Sequence, residues 1–271
     1  MSFKRNIDNG IVYYTIPAFS ETGLVVHGFS GRQGGVSQGK YDSLNLSILT
    51  EDLLEAVLEN RSRFANALGL SLDDFVGAHQ VHEDRICEVT TKDRGRGSKE
   101  PKSVIPATDA LMTNEPGVAL TAFFADCVPV FFLDPIHNAI AVAHAGWKGT
   151  VAKIAAKTVK AMQEAFKTNP DQLLVAVGPS IGPCHYEVDA PVIARFQSAF
   201  PGQEQQILSP ADKASHAQLN LWQANAMQLQ DIGILAKNIT IAELCTFCHQ
   251  NDFFSHRGGM AGRQAAVLML K

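Results

Sequence analysis

The fold is decided by residues 118–145, which read VALTAFFADCVPVFFLDPIHNAIAVAHA. Apolar side chains fill almost every position from Val118 to Ala125, from Val128 to Leu133 and from Ala139 to Ala143. Continuous apolar runs of this length, rich in Val, Phe and Ala, are typical of strands that are buried on both faces. Residues 134–138 have the composition of a turn, so the last two strands are predicted to be antiparallel neighbours.

A helical pattern precedes this centre, between Thr50 and Gly69. Thr50 is a suitable N-cap, apolar residues then recur every three or four positions, and Gly69 is a typical helix end. Arg61 interrupts the apolar side of this predicted helix.

Further elements follow from the same periodicities. Helices are predicted over residues 149–166, 191–200 and 220–231, and strands over residues 11–15, 24–29, 173–178, 239–243 and 265–270. Strands and helices are mixed without a regular βαβ alternation. The sequence therefore predicts an α+β fold, one domain spanning residues 1–271, with mixed, largely antiparallel strands layered with helices.

The composition excludes several classes of protein. The chain has 271 residues, of which 46% are hydrophobic and 18% charged, so it can bury a full core and is not disordered. A net charge of −4 disfavours a nucleic-acid partner, although it leaves room for a local basic pocket that binds one phosphate. No apolar stretch reaches the length of a membrane helix, and no signal peptide is visible. An odd count of five cysteines is interpreted as reduced thiols in a cytoplasmic protein whose partners are small molecules.

Three potential metal ligands lie where apolar runs meet loops: His82, Cys127 and His144. Two imidazoles and one thiolate suit zinc, and three protein ligands leave one tetrahedral position open for water or substrate. The same residues have other interpretations. His82 could be a loop histidine, and Cys127 could be a small buried hydrophobe or a thiol nucleophile with His82 or His144 as its base.

A series of short motifs surrounds these ligands from about Val26 to the C-terminus. They are HGFS (27–30), GGVS (34–37), SLNL (43–46), NR (60–61), QVH (80–82), TDAL (108–111), ADCVP (125–129), HAGWKG (144–149), GPSIGPCHYEV (178–188) and FSHR (254–257). With these motifs the chain resembles the YfiH/YlmD family, also called the multicopper polyphenol oxidase or laccase-like family.

The resemblance has consequences for the site and the activity. It implies a YfiH-like fold and metal ligation by His82, Cys127 and His144. It also implies phosphorolysis of adenosine and inosine, with adenosine deamination as a second activity, so that purine nucleosides and phosphate are the expected partners. Zinc is the expected cofactor, and copper fits less well.

Phosphorolysis needs cations that bind phosphate, and guanidinium groups donate hydrogen bonds in a fixed fork that suits it. Arg61 is the first candidate, because a charge on an apolar helix face needs a partner, and it is predicted to face the pocket. Arg32, Lys148 and Arg257 are further candidates for substrate binding. The family often has arginine where this chain has Lys148, and a second arginine where it has Gly258.

Two further residues complete the predicted site. Asp126 precedes Cys127 and is predicted to be a general base or an orienting residue, so that Asp126, Arg61 and Cys127 form the catalytic set. Asn45, in the SLNL motif, is predicted to hydrogen-bond the nucleoside, although a turn role is equally compatible with its sequence.

Three rival functions remain open at this stage. A polyphenol oxidase would need several coppers, which real multicopper sites hold with His-x-His pairs, and the sequence contains none. A cysteine hydrolase would use Cys127 as its nucleophile. A non-catalytic scaffold would carry a structural zinc.

Other motifs are weaker. The glycine-rich segment 34–40 has P-loop spacing, but Tyr41 stands where Ser or Thr must bind magnesium, so a nucleoside triphosphatase is rejected. Residues 245–249, CTFCH, fit a haem-attachment pattern or half a zinc ribbon, but no second Cys pair accompanies them, and they are interpreted as one buried and one loop cysteine. Cys184 and His185 are adjacent, which is unsuitable for a nucleophile and its base.

Overall fold

A computed structural model describes the chain from Phe3 to Lys271. Within this part the strands are β1 (Lys4–Asp8), β2 (Ile11–Thr15), β3 (Val25–Ser30), β4 (Phe75–Gly77), β5 (Ile86–Glu88), β6 (Ala110–Thr113), β7 (Ala119–Phe124), β8 (Val128–Asp134), β9 (Ala139–Ala145), β10 (Leu174–Val177), β11 (Glu187–Asp189), β12 (Leu208–Pro210), β13 (His216–Leu219), β14 (Ile239–Ile241) and β15 (Gln264–Leu270). The α-helices are α1 (Pro17–Ser20), α2 (Leu54–Ala67), α3 (Trp147–Val151), α4 (Ile154–Phe166), α5 (Ala190–Ala199), α6 (Glu204–Ile207) and α7 (Leu221–Asp231). Short 3₁₀ helices cover Gly39–Tyr41, Leu72–Asp74, Thr91–Asp93, Pro101–Ser103, Pro170–Gln172 and Ala236–Asn238.

The strands form two large sheets and one small sheet. The first sheet has the order β1-β2-β3-β15-β7-β4, and the second has the order β14-β10-β8-β9-β6-β5. Every neighbouring pair in them is antiparallel except β4 with β7, β5 with β6 and β10 with β14. The small sheet, β11-β13-β12, is antiparallel throughout. The predicted α+β class with largely antiparallel strands is therefore confirmed, whereas the domain extent of 1–271 remains a prediction.

The continuous apolar runs are explained by burial on both faces. On β8, Phe131 and Leu133 belong to a core that also contains residues of β7 and β15, between the two large sheets. Val130 and Phe132 belong to a second core, which includes residues of α4 and α7. A third core lies between the first sheet and α2. The layers are thus helix, sheet, sheet and helix, and the central strands are covered on both faces, so neither face exposes polar residues to solvent.

The predicted hairpin of residues 128–145 is confirmed. β8 and β9 pair in antiparallel register from Val128 opposite Ala145 to Asp134 opposite Ala139. Asp134 accepts hydrogen bonds from the backbone N–H groups of Ile136 (2.9 Å) and His137 (3.0 Å), which closes the turn.

Two helix boundaries differ from the prediction. α2 begins at Leu54, not after Thr50, because Thr50 and Asp52 both accept hydrogen bonds from Asn45 and pin the preceding loop. The predicted helix 149–166 is divided into α3 and α4, because Lys153 adopts a left-handed backbone conformation (φ 63°) that interrupts regular helical geometry. Among the described residues, no helix has the length and apolarity required to cross a bilayer.

The arrangement of strands brings the three predicted ligands to one place. Cys127 lies in the short connection between β7 and β8, and these two strands belong to different large sheets. His144 lies near the end of β9, opposite Pro129. His82 lies in the loop after β4, which pairs with β7. The site therefore forms where the two large sheets meet.

Candidate metal centre

The ligand atoms of His82, Cys127 and His144 all lie within 4.8 Å of one another. The rings of His82 and His144 are nearly perpendicular, with centroids 4.7 Å apart. His144 is buried, Cys127 is half-buried and His82 is exposed, so the cluster opens to one side. A thiolate with two imidazoles is a donor set that zinc accepts, and the open side can take a fourth ligand. The structure thus contains the predicted arrangement for a metal site.

Asp109 holds two of these ligands in place. Its carboxylate accepts hydrogen bonds from the backbone N–H groups of Val81 (3.1 Å), His82 (3.0 Å) and Glu83 (3.0 Å). Its Oδ1 atom also lies 2.8 Å from Nδ1 of His144. The Nε2 atom of His144 is therefore left for a metal, and the loop that carries His82 is fixed in a left-handed conformation (φ 62°). Asp109 lies in the TDAL motif, immediately before β6, and was not among the residues predicted for the site.

The charges of the cluster are arranged for metal binding. Burial raises the pKa of the Cys127 thiol, but His144 and His82 outweigh burial and lower that pKa to about 6. Burial lowers the pKa of His144, but Cys127 and Asp109 outweigh it and raise that pKa to about 9. The two shifts favour a Cys127 thiolate paired with a protonated His144; a metal requires the thiolate, and its binding would displace the proton from the His144 imidazole.

Gly146 is required by the closeness of the ligands. A Cβ atom on this residue would lie 3.1 Å from Sγ of Cys127 and 3.2 Å from Cδ2 of His82. Both contacts are tighter than usual, so a side chain here would require Cys127 or His82 to shift by a few tenths of an ångström, and glycine avoids that shift.

A cavity of about 360 Å³ opens next to the cluster. Its polar lining is rich in imidazole, and its apolar wall includes an aromatic ring; the lining residues are Ser47, Leu49, Thr50, Ala78, His79, Gln80, His82, Phe123, Ala125, Cys127, His144, His256 and Arg263. The volume lies within the ordinary range of small-molecule sites. All three predicted metal ligands face this cavity.

Arg263 is the arginine that lines the cavity, and sequence analysis did not select it. Its Nη1 atom donates to the backbone oxygens of Ala261 (2.8 Å) and Gly262 (2.9 Å), and its backbone N–H donates to Oδ1 of Asn45 (3.0 Å). Burial lowers the pKa of Arg263, an effect partly opposed by Cys127 and Asp126. The Gly-Arg pair before the last strand was a signal that could have indicated it.

Arg61 is buried, as its place on the apolar helix side predicted, but its contacts are with the protein. It is 1% exposed. Nε donates to the backbone oxygen of Leu46 (2.6 Å), and Nη1 donates to those of Gly97 (2.6 Å) and Ser98 (2.7 Å). The guanidinium carbon lies 4.7 Å from the ring centroid of Phe123. Arg61 is therefore not among the residues that line the cavity, and its buried Nη2 atom has no hydrogen-bond partner; its role toward substrate stays a prediction.

Asn45 is fully buried and does not line the cavity. Its Nδ2 atom donates to Thr50 and Asp52 (both 2.9 Å), and its Oδ1 atom accepts from the backbone N–H groups of Ser47 (3.3 Å) and Arg263 (3.0 Å). Its hydrogen-bonding capacity is used within the protein, which favours the turn role over contact with a nucleoside.

Asp126 is also turned away from the cavity. It has a left-handed backbone (φ 80°), and its carboxylate accepts hydrogen bonds from the hydroxyl of Thr246 (2.6 Å) and the backbone N–H of Arg257 (2.7 Å). Both oxygens are engaged, so its geometry suits an orienting residue next to Cys127 and not a general base. The Nη1 and Nη2 atoms of the Arg257 guanidinium donate to the backbone oxygen of Glu187 (3.1 and 3.2 Å).

The structure does not bring Arg32 or Lys148 to the cavity. Arg32 donates to the backbone oxygens of Asp42 and Gln250 and braces the glycine-rich loop. Lys148 is exposed on α3, with Nζ 5.8 Å from the ring centroid of Trp147. Neither residue lines the cavity beside the His-Cys-His cluster, and substrate binding by Arg32 and Lys148 stays a prediction.

Asp109→Asn is expected to weaken zinc binding at His82, Cys127 and His144 by about 10- to 100-fold, the usual effect of losing an outer-shell partner of a ligating histidine. The amide retains the shape of the carboxylate but cannot accept from all the same donors. Competition with a chromogenic chelator would measure the affinity. Asp84→Asn, on the same loop and paired with Lys157 at the surface, is the matched control and should leave the affinity unchanged. An unchanged affinity in Asp109→Asn would contradict the positioning role.

Comparison with known proteins agrees with this geometry. Residues 26–271 match the family model described as multi-copper polyphenol oxidoreductase laccase. The chain is 38% identical over 249 residues to purine nucleoside phosphorylase YlmD of Bacillus subtilis, covering 91% of this chain and 89% of that protein. It is 32% identical over 260 residues to a purine nucleoside phosphorylase of Bacteroides thetaiotaomicron, covering 95% of each. The crystal structure of YlmD from Geobacillus stearothermophilus superposes with a TM-score of 0.93 at 35% identity, over 99% of this chain and 98% of that one.

Proposed function

We propose, from the premise that this chain belongs to the multi-copper polyphenol oxidoreductase laccase family (the YfiH/YlmD family), that it is a zinc-dependent purine nucleoside phosphorylase. Its substrates are adenosine and inosine, with adenosine deamination as a second activity. The observation that carries the proposal is one cavity that combines a His-Cys-His cluster with a partly buried arginine, Arg263, and an aromatic wall. The names of its relatives support the same class of reaction.

The reaction joins phosphate to the sugar and releases the base. An oxygen of phosphate forms a bond to C1′ of the ribose while the bond from C1′ to N9 of the purine breaks. The bonding electrons leave with the purine, which takes up a proton, and the products are ribose 1-phosphate and the free base. Most of the catalysis in such a step comes from placing the reactants and neutralising their charges.

We assign phosphate binding to Arg263 in place of Arg61, Arg32 and Lys148. Its guanidinium lines the cavity, and the hydrogen bonds to Ala261 and Gly262 use only its Nη1 atom. Asn45, which the sequence suggested as a residue that binds the nucleoside, accepts a hydrogen bond from the backbone N–H of Arg263. We therefore give Asn45 the role of positioning Arg263. The side-chain amide of Gln80 fixes the backbone of Phe123: its Nε2 atom donates to the backbone oxygen, and its Oε1 atom accepts from the backbone N–H (2.8 Å each). The ring of Phe123 provides a flat surface for the purine.

The remaining polar groups divide between metal and proton transfer. His82, Cys127 and His144 would hold zinc, which supplies a Lewis acid and a bound water with a pKa of about 7. His79 and His256 line the same cavity and are exposed, so their imidazoles are available to give a proton to the departing purine. Asp126 positions Cys127 and the following strand.

A cysteine hydrolase is the second candidate, and one observation favours it. The lowered pKa of Cys127, the adjacent His144 and the carboxylate of Asp109 reproduce the nucleophile, base and orienting residue of a thiol enzyme. A polyphenol oxidase receives less support, because the described residues contain two His/Cys clusters and neither includes a His-x-His pair.

The decisive experiment is a substrate assay on protein stripped of metal and reloaded with zinc. Given adenosine, the zinc protein is expected to release adenine and ribose 1-phosphate only when phosphate is present, and to form inosine without it. Stripped protein should do neither. The phosphorylase proposal fails if zinc-loaded protein leaves both nucleosides unchanged. The hydrolase replaces it if ester or amide cleavage then persists in the presence of a chelator.

A further inference from the structure

A second group of potential ligands lies outside the site described above: Cys184, His185, Cys245 and Cys248. We call it the Cys₃His cluster. Its ligand atoms all lie within 4.8 Å of one another. The two segments that supply it, residues 184–185 and 245–248, are 60 positions apart in sequence at their nearest residues, so no local pattern indicated it.

The distances match the edges of a tetrahedron around one metal ion. Zinc binds sulfur at about 2.3 Å and nitrogen at about 2.0–2.1 Å, which places ligand atoms roughly 3.5–3.8 Å apart. The Sγ atoms of Cys184 and Cys248 are 3.5 Å apart. Nδ1 of His185 lies 3.3 Å from each of those sulfurs and 4.0 Å from Sγ of Cys245. The separations between ligand atoms, 3.3–4.0 Å, therefore bracket the spacing expected around one zinc ion.

We propose that the Cys₃His cluster is a second zinc site, with all four positions filled by protein ligands. Three thiolates and one imidazole are a common structural zinc set, and a closed site has no position for substrate. The proposal goes beyond the nucleoside chemistry of the first site.

The local backbone is shaped for such a site. The backbone N–H of Gly182 points to Sγ of Cys245 at 3.3 Å, a contact that stabilises a ligating thiolate. A β-bridge pairs Ser180 with Cys245 and holds the two loops together. The ring of His185 stacks on Phe247, with centroids 4.3 Å apart, which fixes its orientation.

A disulfide is the alternative use of these sulfurs, and the geometry favours the metal. A disulfide between Cys184 and Cys248 would need their sulfurs at about 2.05 Å, well inside the observed 3.5 Å. Such a disulfide would also give no role to Cys245 and His185, whose ligand atoms lie within 4.8 Å of the same two sulfurs. All five cysteines of the chain are free thiols in this structure.

The site would brace the loops next to the first metal centre. The backbone N–H of Ile181 donates to the backbone oxygen of Asp126 (2.9 Å), and the hydroxyl of Thr246 donates to its carboxylate (2.6 Å). Both contacts come from the two loops that the Cys₃His cluster joins, and Asp126 adjoins Cys127. A metal here therefore fixes the position of a ligand in the other site without touching substrate.

The test counts zinc on the full chain. Protein stripped under reducing conditions is titrated with zinc chloride against a chromogenic chelator. The unmodified chain is expected to bind two zinc ions, Cys127→Ser one, and the double variant Cys184→Ser/Cys248→Ser one. Cys87→Ser, which removes a cysteine outside both clusters, should still bind two. Cys184 and Cys248 are exposed, so serine at these positions is compatible with the fold.

Cobalt gives a second readout in the Cys127→Ser background, where the first site cannot contribute. Cobalt chloride should produce thiolate-to-cobalt charge-transfer bands and a tetrahedral visible spectrum, and both should be lost when Cys248→Ser is added. Zinc should also raise the melting temperature of Cys127→Ser. One zinc in the unmodified chain with all thiols reduced, or a Cys184–Cys248 disulfide in zinc-treated protein, would overturn the proposal, whatever the nucleoside assay shows.

Discussion

Cys127→Ser is expected to lose the zinc of the His-Cys-His site and to slow phosphate-dependent adenine release by more than about 100-fold. Loss of an outer-shell partner alone usually costs about 10- to 100-fold, and removal of the anionic ligand itself should cost more. Serine retains the size of the side chain but does not ionise at neutral pH, so its oxygen cannot replace the thiolate. Elemental analysis and chromatography of the released base would measure the two effects.

The matched control is Cys87→Ser. Cys87 is half-buried on β5, and the pKa of its thiol is raised, chiefly by burial, so it has no activated thiolate to lose. This variant should retain both zinc and rate. A Cys127→Ser protein that keeps its rate would refute the site. If Cys127→Ser loses its rate, but chelators do not affect the rate of the unmodified enzyme, Cys127 would instead be assigned as a nucleophile.

The central sheet strands could be predicted because their signal is local and strong. β8 and β9 are seven residues each, apolar except for Asp134 and His144, and separated by a recognisable turn, so burial and pairing follow from the printed sequence. Strands of three or four residues, such as β4, β5 and β6, carry no comparable periodicity. They are fixed by pairing with distant strands, and residues 75–77 become β4 because β7 lies beside them.

The metal ligands could be predicted because family motifs mark them, and the rest of the site could not. Asp109 acts through backbone N–H groups of residues 81–83, a relation that no spacing rule expresses. The Cys₃His cluster needs two loops to meet. In the sequence Cys245 and Cys248 lie far from Cys184 and His185, and no second cysteine pair is present; the fold instead brings one cysteine and one histidine to them.

Buried polar residues are the ones whose role the sequence leaves open. Asn45 and Arg61 occur in family-like motifs, and a polar group on an apolar background is a reasonable signal of binding. Here the partners belong to the protein itself: backbone oxygens for Arg61, and the side chains of Thr50 and Asp52 with backbone N–H groups for Asn45, while one nitrogen of Arg61, Nη2, has no partner. Sequence indicates that such a residue must be satisfied, but it does not indicate whether a ligand or a loop satisfies it.

Arg61→Ala is expected to lower the free energy of unfolding by about 3–5 kcal/mol, because three buried backbone oxygens would lose their donors and each such loss costs about 1–3 kcal/mol. Burial lowers the pKa of this guanidinium to about 9, so it is still charged at neutral pH. Alanine would leave the backbone oxygens of Leu46, Gly97 and Ser98 without donors and would remove the group that supports Phe123. This differs from the simpler expectation that Arg61 binds phosphate and that its loss leaves the fold intact.

Denaturant titration separates the two roles of Arg61. Arg63→Ala is the matched control on the same helix, because Arg63 is half-exposed and pairs with Glu59 at the surface, and it should cost less than about 1 kcal/mol. If Arg61→Ala were as stable as the control but required far more phosphate for half-maximal rate, the guanidinium would contact substrate. A large loss of stability, with a phosphate requirement that stays near normal in the folded fraction, places Arg61 behind the wall and leaves phosphate to Arg263. The cavity would then depend on one arginine for its shape and on another for its ligand.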